Sequence, residues 1–111
     1  MKDHYGCPVQ ATANVLAGKW KVLILWHLSF GPMRFAQLHG VLRDSSEKVL
    51  AAQLKQLQAD GILDRVVTPT IPARVDYSLT AAGEDLIAAM QGLYNFGTKH
   101  LGVPPNMPRP P

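Results

Sequence analysis

The chain has 111 residues, 47% of them hydrophobic and 17% charged, which suits one globular domain and excludes wholesale disorder. Eleven Lys and Arg against eight Asp and Glu leave a net charge of +3, a mild bias toward anionic partners. A single cysteine excludes an internal disulfide framework and fits a reducing compartment. The opening MKDHYGCPVQ has no apolar signal region, and the longest apolar run, Val22 to Trp26, is far short of a bilayer span. A cytoplasmic protein without membrane association is expected.

The first helix is expected to start at Pro8, whose missing N–H costs nothing at that position. Val9, Ala13 and Leu16 then repeat at helical spacing until Gly18 breaks the run. A second helix is expected from Lys19 to about Ser29, apolar on nearly every side and therefore central. Phe30-Gly31-Pro32 stops it. Met33-Arg34-Phe35 reads as a short extended piece, and Phe35 to about Leu42 as a brief third helix with Leu38 and Val41 inward. In DSSEKVLAAQLKQLQADG, Ser46 is the favoured N-cap, with Asp44 and Glu47 as an alternative capping box and Gly61 as the stop. Leu50, Leu54 and Leu57 share one stripe of this fourth helix, and Lys48, Ala51, Ala52, Lys55 and Ala59 the opposite one.

After Gly61 the periodicity changes from helical to alternating. Leu63–Thr68 and Arg74–Leu79 read as paired strands around the proline-bearing loop Thr68-Pro69-Thr70-Ile71-Pro72-Ala73. Thr80 caps a last helix running to about His100, whose apolar stripe is longer than one small domain needs for its own core. The tail GVPPNMPRPP holds five prolines in ten residues and is expected to be exposed. Helix, helix, short strand, helix, helix, hairpin, helix is the order of a winged helix-turn-helix, an α+β fold.

Several segments carry a resemblance as well as a pattern. They are Cys7-Pro8-Val9, Gly18-Lys19-Trp20 with Leu23-Ile24-Leu25, and Gly31-Pro32-Met33-Arg34-Phe35 with Leu38. Further along come Ser46-Glu47-Lys48-Val49-Leu50, Leu54 with Leu57, Asp60-Gly61, and Pro72-Ala73-Arg74-Val75-Asp76-Tyr77-Ser78-Leu79-Thr80 with Gly83. In this order and spacing the chain resembles the HxlR family of bacterial transcriptional regulators over roughly Cys7 to His100. The organisation expected is a flexible N-terminus over 1–6, the winged helix-turn-helix over 7–101, and a proline-rich disordered tail over 102–111.

The resemblance implies a homodimer on double-stranded operator DNA, its interface made by the N- and C-terminal helices. Candidate interface residues are Val9, Leu86, Met90, Leu93 and Phe96, with Phe96 standing where the family often has Trp. Candidate DNA contacts are Lys48 and Lys55 on the exposed stripe, Ser46 at the helix start, Arg34 before the third helix, and Arg65 and Arg74 on the wing. The plainer reading of these cations is solubilising surface charge. Where the family commonly has polar or Arg side chains this chain has Ala51, Ala52 and Gln53. Base reading would then lean on Lys48, Gln53, DNA shape and the methyl of Ala52 against thymine.

No acid, base and nucleophile constellation argues for an enzyme. His4, His27, His39 and His100 are scattered without metal-ligand spacing, so neither metal nor cofactor is expected. Trp20 and Trp26 read as core or dimer packing. Cys7, as the N-cap before Pro8, lies near unpaired N–H groups that favour an anionic sulfur. The resemblance adds that some family members sense quinones, aldehydes or disulfide stress through a cysteine in this position. The alternatives are a thiol that merely fills space, a small electrophile or aromatic effector held at the dimer interface, or a winged helix that binds protein and has no operator.

Overall fold

Each break announced by the sequence becomes a boundary in the computed structural model, which describes residues 5–105. The expectations for residues 1–4 and 106–111 lie outside the described residues. The elements are α1 (Pro8–Leu16), α2 (Lys21–Leu28), α3 (Phe35–Val41), α4 (Glu47–Ala59), β1 (Leu63–Thr68), β2 (Arg74–Leu79) and α5 (Ala81–His100). The second helix begins two residues later than expected. Gly18 sits at φ +141°, where side chains are strained, and Trp20 becomes the cap of α2.

The strands pair antiparallel from Leu63↔Leu79 to Thr68↔Arg74. The extended stretch before α3 docks on this ribbon through one residue: Met33 and Tyr77 exchange backbone hydrogen bonds of 3.0 and 2.8 Å. Thr80 ties the hairpin to α5. Its hydroxyl donates to the Gly61 carbonyl (2.7 Å) and accepts from the Gly83 N–H (3.0 Å), while its own N–H donates to Ile62 (3.0 Å). Gly83 is packed on the Ile62 carbonyl and Leu79, leaving no room for a Cβ.

The core is built where four elements converge. Ile24, Leu25 and Leu28 of α2 meet Leu38 of α3, Leu50, Leu54 and Leu57 of α4, and Leu63 of β1, all buried. Ile87 and Met90 close it from α5. The inward positions are Leu38 on α3 and Leu42 just past its end, and Val41 points to solvent, contrary to expectation. A seven-residue helix makes under two turns, and the chain leaves it at Leu42 with non-helical dihedrals that swing that side chain inward. The described part of the segment after α5, residues 102–105, is exposed and forms neither helix nor strand. The Val103 N–H reaches back to the Gly97 carbonyl (3.4 Å), and Val103 and Pro104 line a groove with Val22 and Leu23.

Candidate nucleic-acid interface

Helix α4 follows α3 across a tight turn, and that turn is built from side chains as much as backbone. Buried Ser45 bonds the Leu42 carbonyl through both its N–H (3.0 Å) and its hydroxyl (2.6 Å). His39 donates from Nε2 to the Ser45 carbonyl (3.0 Å), with Nδ1 3.9 Å from the Glu47 carboxylate. Nothing in the sequence marked His39 for this task, because its partner lies beyond a helix break where periodicity carries no signal. Ser46 is the N-cap, its hydroxyl oxygen accepting from the Val49 N–H (3.1 Å). The hydroxyl proton stays available to a phosphate, as do the uncapped N–H groups of the first turn. The choice of Ser46 over Asp44 as cap is the one the fold makes.

Inward, α4 presents its three buried leucines; outward lie Lys48, Ala51, Ala52 and Lys55, all exposed. Ala51 and Ala52 form a narrow strip of small side chains between the two lysines. Gln53 departs from the set expected to face DNA. It is half-buried, and its Oε1 accepts the backbone N–H of Trp20 (3.1 Å). Its carbonyl is committed to the start of α2.

The wing carries the other cations. Arg74 begins β2 half-exposed, its Nε 3.0 Å from the Asp76 carboxylate, which holds the guanidinium over the hairpin face. Thr70 braces the loop by donating to the Pro72 carbonyl (2.8 Å), and Ile71 stands fully exposed at the tip. Arg65 lies exposed on β1 opposite Tyr77. Arg34 precedes α3 as its N-cap, exposed, with its N–H held by the Gln37 side chain (2.9 Å). Lys21 is fully buried at the start of α2, a placement with no signal in the sequence beside exposed Lys19. His27, partly buried on α2, has its pKa pushed below the ordinary 6.5 by desolvation.

On α1 and α5, apolar groups remain outside the core. Val9, Leu93 and Phe96 are exposed, Leu86 is partly covered, and Met90 is buried in the protomer's own core. Pro8, Val9, Leu16, Leu86 and Leu93 line an apolar groove of about 460 Å³ between the two helices. A second, of about 340 Å³, runs over Val22, Leu23, Trp26 and Tyr94, where the indole and phenol rings stack at 5.5 Å. Cys7 is exposed at the N-cap of α1; its carbonyl takes the Ala11 N–H (2.9 Å) and its side chain makes no capping bond. Among the described residues, no three His, Cys, Asp or Glu gather as metal ligands, and no helix is long and apolar enough to cross a membrane.

The family model for HxlR-like helix-turn-helix proteins matches residues 15–104. The chain belongs to the HxlR family. YtcD of Bacillus subtilis (strain 168), an HTH-type transcriptional regulator, is 36% identical over 100 residues, covering 90% of this chain and 79% of YtcD. The solved structure of YtcD superposes with a TM-score of 0.81, covering 87% of this chain and 99% of that one. Reduced HypR, a redox regulator, is similar at TM-score 0.81 and 33% identity, covering 86% and 94% of the two chains. Quinone-bound YodB from B. subtilis is similar at TM-score 0.72 and 31% identity, covering 84% and 99%. The HxlR chain is thus a helix-turn-helix transcriptional regulator with an α+β winged-helix fold, and its family and relatives are regulators, not enzymes.

Proposed function

We propose that this regulator binds operator DNA in the cytoplasm as a homodimer, with α4 in the major groove and the β1–β2 wing over the adjacent backbone and minor groove. The observation that carries this is the outer face of α4: Lys48, Ala51, Ala52 and Lys55 exposed behind the Ser46 cap, with leucines occupying the inner face. Arg34 and Arg74 extend the cationic surface, and Arg65 adds to it nearer the base of the wing. A face meant for a protein partner would expose large apolar groups at its centre, and this one centres on alanine. The dimer is supported by the uncovered apolar groups of α1 and α5, centred on Val9, Leu93 and Phe96.

Cys7 supplies a control point in this reading. It is accessible at the start of a helix that belongs to the dimer face, so an adduct on its sulfur, or its oxidation to a disulfide with the partner's thiol, alters how the protomers meet. HypR and YodB, similar over most of this chain, are respectively a redox regulator and a protein solved with bound quinone. The second reading is a small aromatic effector held in the groove beside Trp26 and Tyr94, which is apolar and borders the same face.

The test is fluorescence-anisotropy binding to DNA upstream of the protein's own gene at two salt concentrations, with an unrelated duplex as control. Reduced and diamide-treated samples are compared, in the native chain and in Cys7→Ser. Preference for the upstream DNA that changes on oxidation, and does not change in Cys7→Ser, is the expected result. Preference indifferent to oxidation removes Cys7 and favours the groove. No binding at low salt sinks the DNA reading itself.

A further inference from the structure

Helix α1 is joined to the rest of the protomer through Val15 and Leu16 on the core and through the four-residue link Ala17-Gly18-Lys19-Trp20. Beyond the link, α2 and α4 pack through leucines and isoleucine, contacts that are strong but not directional. One contact is different in kind. The Trp20 N–H, a helix-start donor without a helical partner, is taken by the Gln53 side chain at 3.1 Å across 33 residues of sequence. The other side of the same amide lies against Gly18: a Cβ there would stand 3.3 Å from Gln53 Nε2. Gly18 at φ +141° and Gln53 therefore fit each other, and neither fit follows from core packing.

We infer that Gln53 is a positioning residue that clasps the recognition helix α4 to the α1–α2 link, fixing the orientation of the DNA-facing stripe relative to the dimer-forming helix α1. The inference rests on the DNA-binding reading for its consequence, while the clasp itself stands on the geometry. A hydrogen bond resists roll and slide of α4 in a way a leucine stripe does not. In a two-fold dimer a small roll of α4 changes the separation of the two reading heads, so the clasp translates the posture of α1 into a half-site spacing. A modification at Cys7, at the far end of α1, reaches α4 by this route.

Two readouts test the inference, using Gln53→Leu, which keeps volume but removes the acceptor, and Gln53→Glu, which keeps it. The first is the α1–α4 distance distribution by pulsed electron paramagnetic resonance. Spin labels are placed at Gln10→Cys and Ala59→Cys in a Cys7→Ser background, and the protein is diluted with unlabelled chain so that only distances within a protomer register. The distribution should be narrow in the parent, broad in Gln53→Leu and narrow again in Gln53→Glu. The second readout is affinity for operators whose half-sites are moved by one base pair, or altered at single bases. Gln53→Leu should bind the best operator about fivefold more weakly and lose its preference among spacings, with base preferences kept. An unchanged distance distribution in Gln53→Leu overturns the clasp. Loss of preference at one base with spacing preference intact overturns it too, and makes Gln53 a base reader. If the parent binds no DNA, the functional reading fails while the distance measurement still decides the clasp.

Discussion

Helices α1 and α4 are both amphipathic, and they do opposite things with their apolar faces. Helix α4 buries Leu50, Leu54 and Leu57 completely within the protomer, carries a side-chain cap at Ser46, and shows solvent only small and cationic groups along its outer stripe. Helix α1 buries none of its nine residues, has no side-chain cap, and leaves Val9 77% exposed above the groove it shares with α5. A helix whose apolar stripe is satisfied by its own chain has its other face free for a polar ligand. A helix whose apolar stripe is not satisfied awaits more protein.

The largest expected effect separates the two helices by stability. Leu54→Ala opens a cavity at a fully buried position and should cost about 2–5 kcal/mol in urea unfolding. Val9→Ala, at an exposed position, should stay within about 0.5 kcal/mol in the isolated protomer. Equal costs would mean that α1 belongs to the core after all.

Next in size is association. Leu93→Asp places a charge on the exposed apolar face, on the groove that Val9 also lines, and should weaken the proposed dimer by about 2 kcal/mol or more, roughly 30-fold. Light scattering across a dilution series should show monomer where the parent is dimeric, with the circular dichroism spectrum kept. A dimer that survives Leu93→Asp moves the interface to another surface.

The same contrast explains what could be read in the sequence. Element bounds were legible where punctuation marks them: Pro8 opens α1, Ser46 and Thr80 cap α4 and α5 with hydroxyls, and Gly61 at φ +75° ends α4, whereas the start of α2 at Lys21 carries no such mark. The inner stripe of α4 was legible because thirteen residues are enough turns for a period to show. Val41 was misplaced because the seven residues of α3 are too few to separate it from Leu42. Met90, expected at the interface, lies in the core because one continuous stripe on α5 serves both the core and the grooves. Gln53 and His39 were illegible in their real tasks. Each bonds a backbone group placed by tertiary structure, and no local pattern records such a partner.

The smallest effect is at the caps. Ser46→Ala removes the acceptor for the Val49 N–H and should cost about 1 kcal/mol, while the uncapped α1 offers the reverse experiment. Cys7 already has the extended dihedrals of an N-cap (φ −95°, ψ 117°), with Pro8 fitting the first helical position. Replacing its sulfur by a hydroxyl supplies the acceptor that α1 lacks, so Cys7→Ser should raise stability by a few tenths of a kcal/mol, less than Ser46→Ala removes. Differential scanning calorimetry on the two variants and their double mutant checks this, the helices being separate enough for the effects to add. A Cys7→Ser variant that is destabilised instead would show that the thiol packs against a partner surface in the native assembly, and the exposed position seen in the protomer would be covered in the dimer. The sign of this small change therefore decides whether the sulfur is held open to oxidants or tucked beneath a second copy of the chain.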